Sequence, residues 1–148
     1  MNLFITSNRN CAPNDALKIK LNKAFIFLCE EENITNCSIN LKIIDDTEMQ
    51  KLNKDFRSIN KPTNVLSFAN EDISREHTGN LGDIAINSDY VTRESNERNK
   101  QYDDHMIHML IHGVYHILGF DHNNNKMAEV MENKEIKLLK KLNIRNPY

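Results

Sequence analysis

The run HGVYHILGFDH places His112, His116 and His122 at offsets of zero, four and ten, and this spacing constrains backbone and chemistry together. Residues four apart stack on one helix face with Cβ atoms roughly 5–6 Å apart, so His112 and His116 can reach one point in space. Gly119 follows the apolar pair Ile117-Leu118 and suits the left-handed backbone that ends a helix and turns the chain back. His122 then returns toward the same point. Three neutral nitrogen donors in this layout are a metal-site pattern, and zinc, one per chain, is the expected ion by ligand type. With no obvious fourth protein ligand nearby, the ion is expected to keep an open position for water, the mark of a catalytic site. Asp121 is the candidate partner behind the ligands, or a base. A helix with histidines on its packed face can also be a plain core helix; the trio combined with the glycine favours the metal.

An absence narrows the chemistry. One group of zinc peptidases carries HExxHxxGxxH, with the same histidine and glycine offsets and a glutamate that deprotonates the metal-bound water. The matching residue here is Gly113, which has no side chain, so a conventional zinc peptidase is disfavoured.

Length and charge bound the rest. A chain of 148 residues with 39% hydrophobic content can bury one core without disulfides, so one domain over 1–148 is expected. Cys11, Cys29 and Cys37 are odd in number and lack metal-pair spacing, which fits small packed side chains in a reducing compartment. The Leu3-Phe4-Ile5 cluster is too short for a signal core and no stretch could span a membrane, so a cytoplasmic protein is expected. A net charge of −2 gives no global attraction for phosphate. Locally, however, Lys51, Lys54, Arg57 and Lys61 fall within eleven residues against the single acid Asp55. Such a segment can guide a nucleic-acid strand or be a solvated helix face.

Periodicity predicts a strand over 2–6, an amphipathic helix over 15–31, and a half-buried strand at Ile39, Leu41 and Ile43. Thr47 and Gln50 offer a capping box for a short helix. Two more strands, Val65 to Phe68 and Asp83 to Ile86, flank a polar loop over 70–80, where His77 faces solvent. Ser88-Asp89 cap another helix, Asp103-Asp104 suit the N-terminus of the histidine helix, and 127–142 form a last helix whose lysines, Glu132 and Glu135 read as surface. His105 and His108 lie too far along their helix to join the metal and are expected at the core edge or in a pocket. The predicted class is α+β, α/β-like, with a single small mixed sheet of about four strands, about five helices, and the metal site at the C-terminal end of a central helix.

Taken whole, the histidine run resembles the HGxxHxxGxDH signature of the YbeY family of bacterial single-strand-specific endoribonucleases. Asn53 to Phe68, NKDFRSINKPTNVLSF, is similar to the family's asparagine, arginine and PTDVLSF pattern, and Leu81-Gly82-Asp83-Ile84 looks like a third block. The blocks keep the family's order from about Asn53 to His122. The resemblance implies an endoribonuclease acting in ribosomal RNA maturation, at the 3′ end of 16S rRNA, and in ribosome quality control. It implies zinc on His112, His116 and His122, with Arg57 and His112 catalytic, and single-stranded RNA, a 16S rRNA precursor and ribosomal subunits as partners. A guanidinium suits the arginine's role because it is always charged and fits two phosphate oxygens at once. Lys54, Lys61 and Asn64 are candidate substrate contacts. Asn64 departs from the family's usual aspartate, and an amide carries no negative charge. The general base is unassigned: metal-bound hydroxide as a direct nucleophile, participation of Asp121 and participation of the RNA 2′-hydroxyl all stay open. Two rivals remain: a zinc peptidase or amidase with a base such as Asp83, and a non-catalytic ribosome-associated RNA-binding module with a structural zinc.

Overall fold

The alternation at Ile39, Leu41 and Ile43 is realised as β2 (Ser38–Ile44), an inner strand of the sheet. The protein is described here by a computed structural model that covers residues 1–71 and 79–148. β1 (Asn2–Ser7) and β4 (Asn80–Asn87) pair with β2 in parallel on either side, and β3 (Val65–Ala69) pairs antiparallel with β4, giving the order β1-β2-β4-β3. Parallel neighbours need a long crossover, and α1 (Asp15–Glu31) supplies the one between β1 and β2. α2 (Asp46–Arg57), α3 (Ser88–Glu97), α4 (Tyr102–Ile117) and α5 (Asn125–Lys141) complete the described helices, with a short 3₁₀ turn over Arg9–Cys11. The predicted α+β class, four-stranded mixed sheet and five helices are what the described residues form.

The sheet divides the interior. Ile39, Leu41 and Ile43 point to the face covered by α1 and α4, where they join Leu21, Phe25, Leu28, Leu110 and Val114 in the main core. α2 covers the other face only in part, setting Met49 against Ile44, Leu66 and Ala85. α4 is the central helix, packed on β3, β4, α1, α3 and α5. It approaches the sheet closely at Gly113, where a Cβ would lie 3.0 Å from Ser67 Oγ and 3.1 Å from Ile84 Cδ1. The position that bears glutamate in the peptidase pattern is therefore pressed onto β3 and β4, where even a methyl group would require Ser67 and Ile84 to shift.

Three helix starts differ from those predicted, for one reason: an Asn or Asp just upstream accepts a backbone N–H of the first turn. Asp45, and not Thr47, caps α2 by accepting from Glu48 N; Asn87, and not Ser88, caps α3; Asn124 caps α5 before Met127. Of the loop predicted over 70–80, residues 72–78, His77 included, lie outside the described residues. Cys11, Cys29 and Cys37 are buried free thiols, and no helix among the described residues is long and apolar enough to cross a membrane.

Candidate active site

α4 ends where Gly119 stands. With φ +100°, its N–H bonds to His116 O at 3.0 Å while the N–H of Phe120 reaches Tyr115 O at 3.0 Å, the two hydrogen bonds of a Schellman closure. The Phe120 ring packs edge-on against Tyr115, centroids 5.6 Å apart, which sets the direction of the returning chain. That return brings the His122 ring to 5.0 Å from His116 and 5.7 Å from His112. One ligand atom from each of the three imidazoles lies within 4.8 Å of the others. His112 Nε2 and His116 Nε2 are 3.1 Å apart, close to the roughly 3.3 Å between two nitrogens held tetrahedrally at about 2.0–2.1 Å from one zinc. Burial, then the neighbouring His112 and His122 rings, depress the pKa of His116, favouring the neutral form that a metal needs. The donor set and its geometry fit a metal ion.

The trio opens into a cavity of about 990 Å³ also lined by Arg57, Lys61, Asn64, Ser67, Asp121 and Tyr148. Arg57 is the last residue of α2, which ends because Ser58 takes the left-handed conformation at φ 59°. Exposed on the cavity wall, its guanidinium makes no hydrogen bond or ion pair among the described residues. A permanently charged group so left is available to an anionic ligand. Lys54, one turn back on α2, is outside this lining.

Asn64 hydrogen-bonds through its amide, donating from Nδ2 to Glu94 Oε1 at 3.1 Å. Aspartate, when ionised, has no proton to give and would face the Glu94 carboxylate, so the amide is the matched residue beside Glu94 in this chain. Asp121 does not touch an imidazole: both its oxygens accept from Asn123, one from the backbone N–H and one from the side chain, each at 2.7 Å. Asp83, the base suggested for a peptidase, accepts from Asn40 at 2.9 Å and lines a separate groove on the opposite face of the sheet with Phe56 and Phe68. It cannot serve the histidine cavity.

The carboxylate behind the ligands is Glu135. Expected at the surface of α5, it is fully buried, and its Oε1 lies 3.2 Å from His112 Nδ1 and 2.7 Å from His108 Nε2. Its position was recoverable from spacing, since Met131, Glu135, Leu138 and Leu139 make one helical stripe and the three apolar members are core. His108, His112 and Glu135 also bring ligand atoms within 4.8 Å, but there a single carboxylate oxygen already takes the imidazole contacts as hydrogen bonds. His105 is likewise buried, its Nε2 3.2 Å from Glu94 Oε1, so His105 and His108 are interior residues with carboxylate partners.

A model of the family described as Endoribonuclease YbeY matches residues 4–143. Endoribonuclease YbeY of Francisella tularensis subsp. holarctica is 40% identical over 152 residues, covering 98% of this chain and 90% of its own. The Francisella philomiragia protein of the same description is 40% identical over 148 residues, covering 97% and 92%. The solution structure of TM1509 from Thermotoga maritima shares the fold with a TM-score of 0.65 at 22% identity, over 96% of this chain and 92% of that one.

Proposed function

The chain belongs to the YbeY family of endoribonucleases, and from that premise we propose that it is a zinc-dependent, single-strand-specific endoribonuclease of ribosomal RNA maturation. Its substrate would be a 16S rRNA precursor, cut near its 3′ end in the cytoplasm in the company of ribosomal subunits, with residues 1–148 acting as one catalytic domain. The observation that carries the reading is the meeting on one cavity of three imidazoles and a guanidinium with no partner among the described residues.

His112, His116 and His122 would hold the zinc, which when bound supplies Lewis acidity and a water of lowered pKa. Arg57 would pair with two phosphoryl oxygens and stabilise the negative charge that develops as the phosphodiester is attacked. Lys61, on the same wall, adds positive charge along the strand's path. Gly113 brings no base, and Asp121 spends both oxygens on Asn123. The proton acceptor is thus left unassigned, and the nucleophile would be either a water of lowered pKa at the metal or the RNA 2′-hydroxyl. The test is cleavage of matched single-stranded RNA and 2′-deoxy strands by zinc-loaded protein. RNA cleavage that requires zinc is the expected result, and peptide turnover without RNA turnover would overturn the proposal. Undiminished cutting of the 2′-deoxy strand would exclude an obligatory 2′-hydroxyl attack.

A further inference from the structure

Glu135 is a fully buried carboxylate that the proposed chemistry does not use. A charge in that position is costly unless it is paired and hydrogen-bonded. Its Oε1 has three donors around it: His108 Nε2 at 2.7 Å, Tyr148 Oη at 3.1 Å and His112 Nδ1 at 3.2 Å. Two come from successive turns of α4 and the third from the segment after α5, so the carboxylate ties three parts of the chain to one atom.

The consequence lies at the far side of the His112 ring. The oxygen that accepts from the Tyr148 hydroxyl and meets both ring nitrogens is the acceptor of this cluster, which places the His112 proton on Nδ1. Nε2 is then a bare lone pair, directed at the point shared with His116 Nε2 3.1 Å away. The other tautomer would put a proton where a metal has to bind. We propose that Glu135, held in place by His108 and Tyr148, is a positioning residue that fixes the tautomer and ring direction of His112 for metal capture. This rests on the metal-centre reading above. An interior ion-pair partner that merely holds α5 to α4 would show the same hydrogen bonds, so the test must read something that such a role leaves unmoved.

Long-range ¹H–¹⁵N NMR of the metal-free protein reports the His112 tautomer directly, and competition with a chromophoric chelator reports Zn²⁺ affinity. In the wild type, His112 should be protonated at Nδ1 alone. Glu135→Gln keeps one acceptor oxygen and the side-chain size but puts an amide donor in place of the other oxygen. It should mix the tautomers and weaken Zn²⁺ binding by about 10–100-fold, the usual effect of removing a group behind a metal ligand. Tyr148→Phe, which removes only the hydroxyl of a residue 57% exposed, should weaken binding a few-fold with the tautomer retained, and it keeps the proposal testable if Glu135→Gln does not fold. A Glu135→Gln protein with the wild-type tautomer and affinity, even if it melts earlier, would overturn the positioning role alone, as would unchanged affinity in a folded Tyr148→Phe for the tyrosine's share. Failure of wild-type protein to bind Zn²⁺ would instead overturn the metal reading on which the proposal stands.

Discussion

α4 carries four histidines, and its two halves use them in opposite ways. In the N-terminal half, His105 and His108 are buried and face carboxylates brought by neighbouring helices, Glu94 of α3 and Glu135 of α5. In the C-terminal half, His112 and His116 are only partly buried and turn their nitrogens toward each other and toward His122 at the edge of an open cavity. The residue type and the helix are the same. What differs is the partner: a carboxylate accepts the imidazole proton and keeps the ring as a structural donor, whereas a second imidazole leaves a lone pair free for a cation. His112 takes part in both patterns, one nitrogen toward Glu135 and the other toward His116.

The most direct way to break this comparison is to delete one member of each set. His116→Ala should reduce Zn²⁺ uptake and RNA cleavage below detection while the metal-free protein keeps its fold. His105→Ala should leave Zn²⁺ affinity unchanged and lower unfolding free energy by roughly 1–3 kcal/mol, because it removes a donor from the buried Glu94. Equal loss of metal affinity in the two variants, measured by chelator competition, would erase the distinction. Arg57→Ala sharpens it by adding a residue of neither set. Cleavage should fall by about 10²–10³-fold, the usual loss when one charge-stabilising donor is removed, with Zn²⁺ content and melting temperature unchanged.

How much of this was legible in the chain follows the same division. The metal-facing histidines are encoded locally, by a four-residue helical offset and a glycine that permits φ +100°, so sequence alone brings them together. The alternation of Ile39, Leu41 and Ile43 likewise encodes the strand and its buried face. Partners supplied from another helix are not local. Glu135 lies between lysines in sequence, and its burial shows only when it is read with Met131 and Leu138 as one stripe; the match of Asn64 to Glu94 needs β3 and α3 already packed. Two helix starts differ where an Asp or Asn one or two residues upstream outcompetes the expected cap, and α5 starts earlier than its apolar pattern because Asn124 caps it.

Gly113 lies between His112 and His116 and tests whether the sheet holds α4 in register. Alanine there gains about 0.5–1 kcal/mol of helix entropy but forces a methyl group against Ser67 and the buried Ile84, an overpacking that costs roughly 1–3 kcal/mol. A lower urea midpoint is expected for Gly113→Ala. A stabilised variant would mean that β3 and β4 yield freely at this contact.

The smallest effect concerns pH. Burial lowers the pKa of His105 below its ordinary 6.5, with the charges of His108 and Lys100 acting in the same direction and Glu94 opposing them. The folded protein therefore keeps this ring neutral where the unfolded chain has begun to bind a proton. The stability so contributed is full above pH 6.5 and is lost as pH falls toward the folded value, at no more than about 1.4 kcal/mol per pH unit. Glu94, whose own pKa is held below the usual 4.5 by Asn64 and His105 against burial, stays ionised across that window and adds no slope. His105→Gln, which does not titrate, should thus lose less stability between pH 7.0 and 5.5 than wild type in metal-free urea titrations. The slope that remains should include the share of His116, which is depressed by burial and by its imidazole neighbours. Saturating Zn²⁺ should steepen that remainder, since only deprotonated rings bind the ion, and should do so equally in wild type and His105→Gln. A His105→Gln protein with the wild-type slope in the absence of metal would mean that the buried histidines and the cavity histidines do not titrate as separate sets.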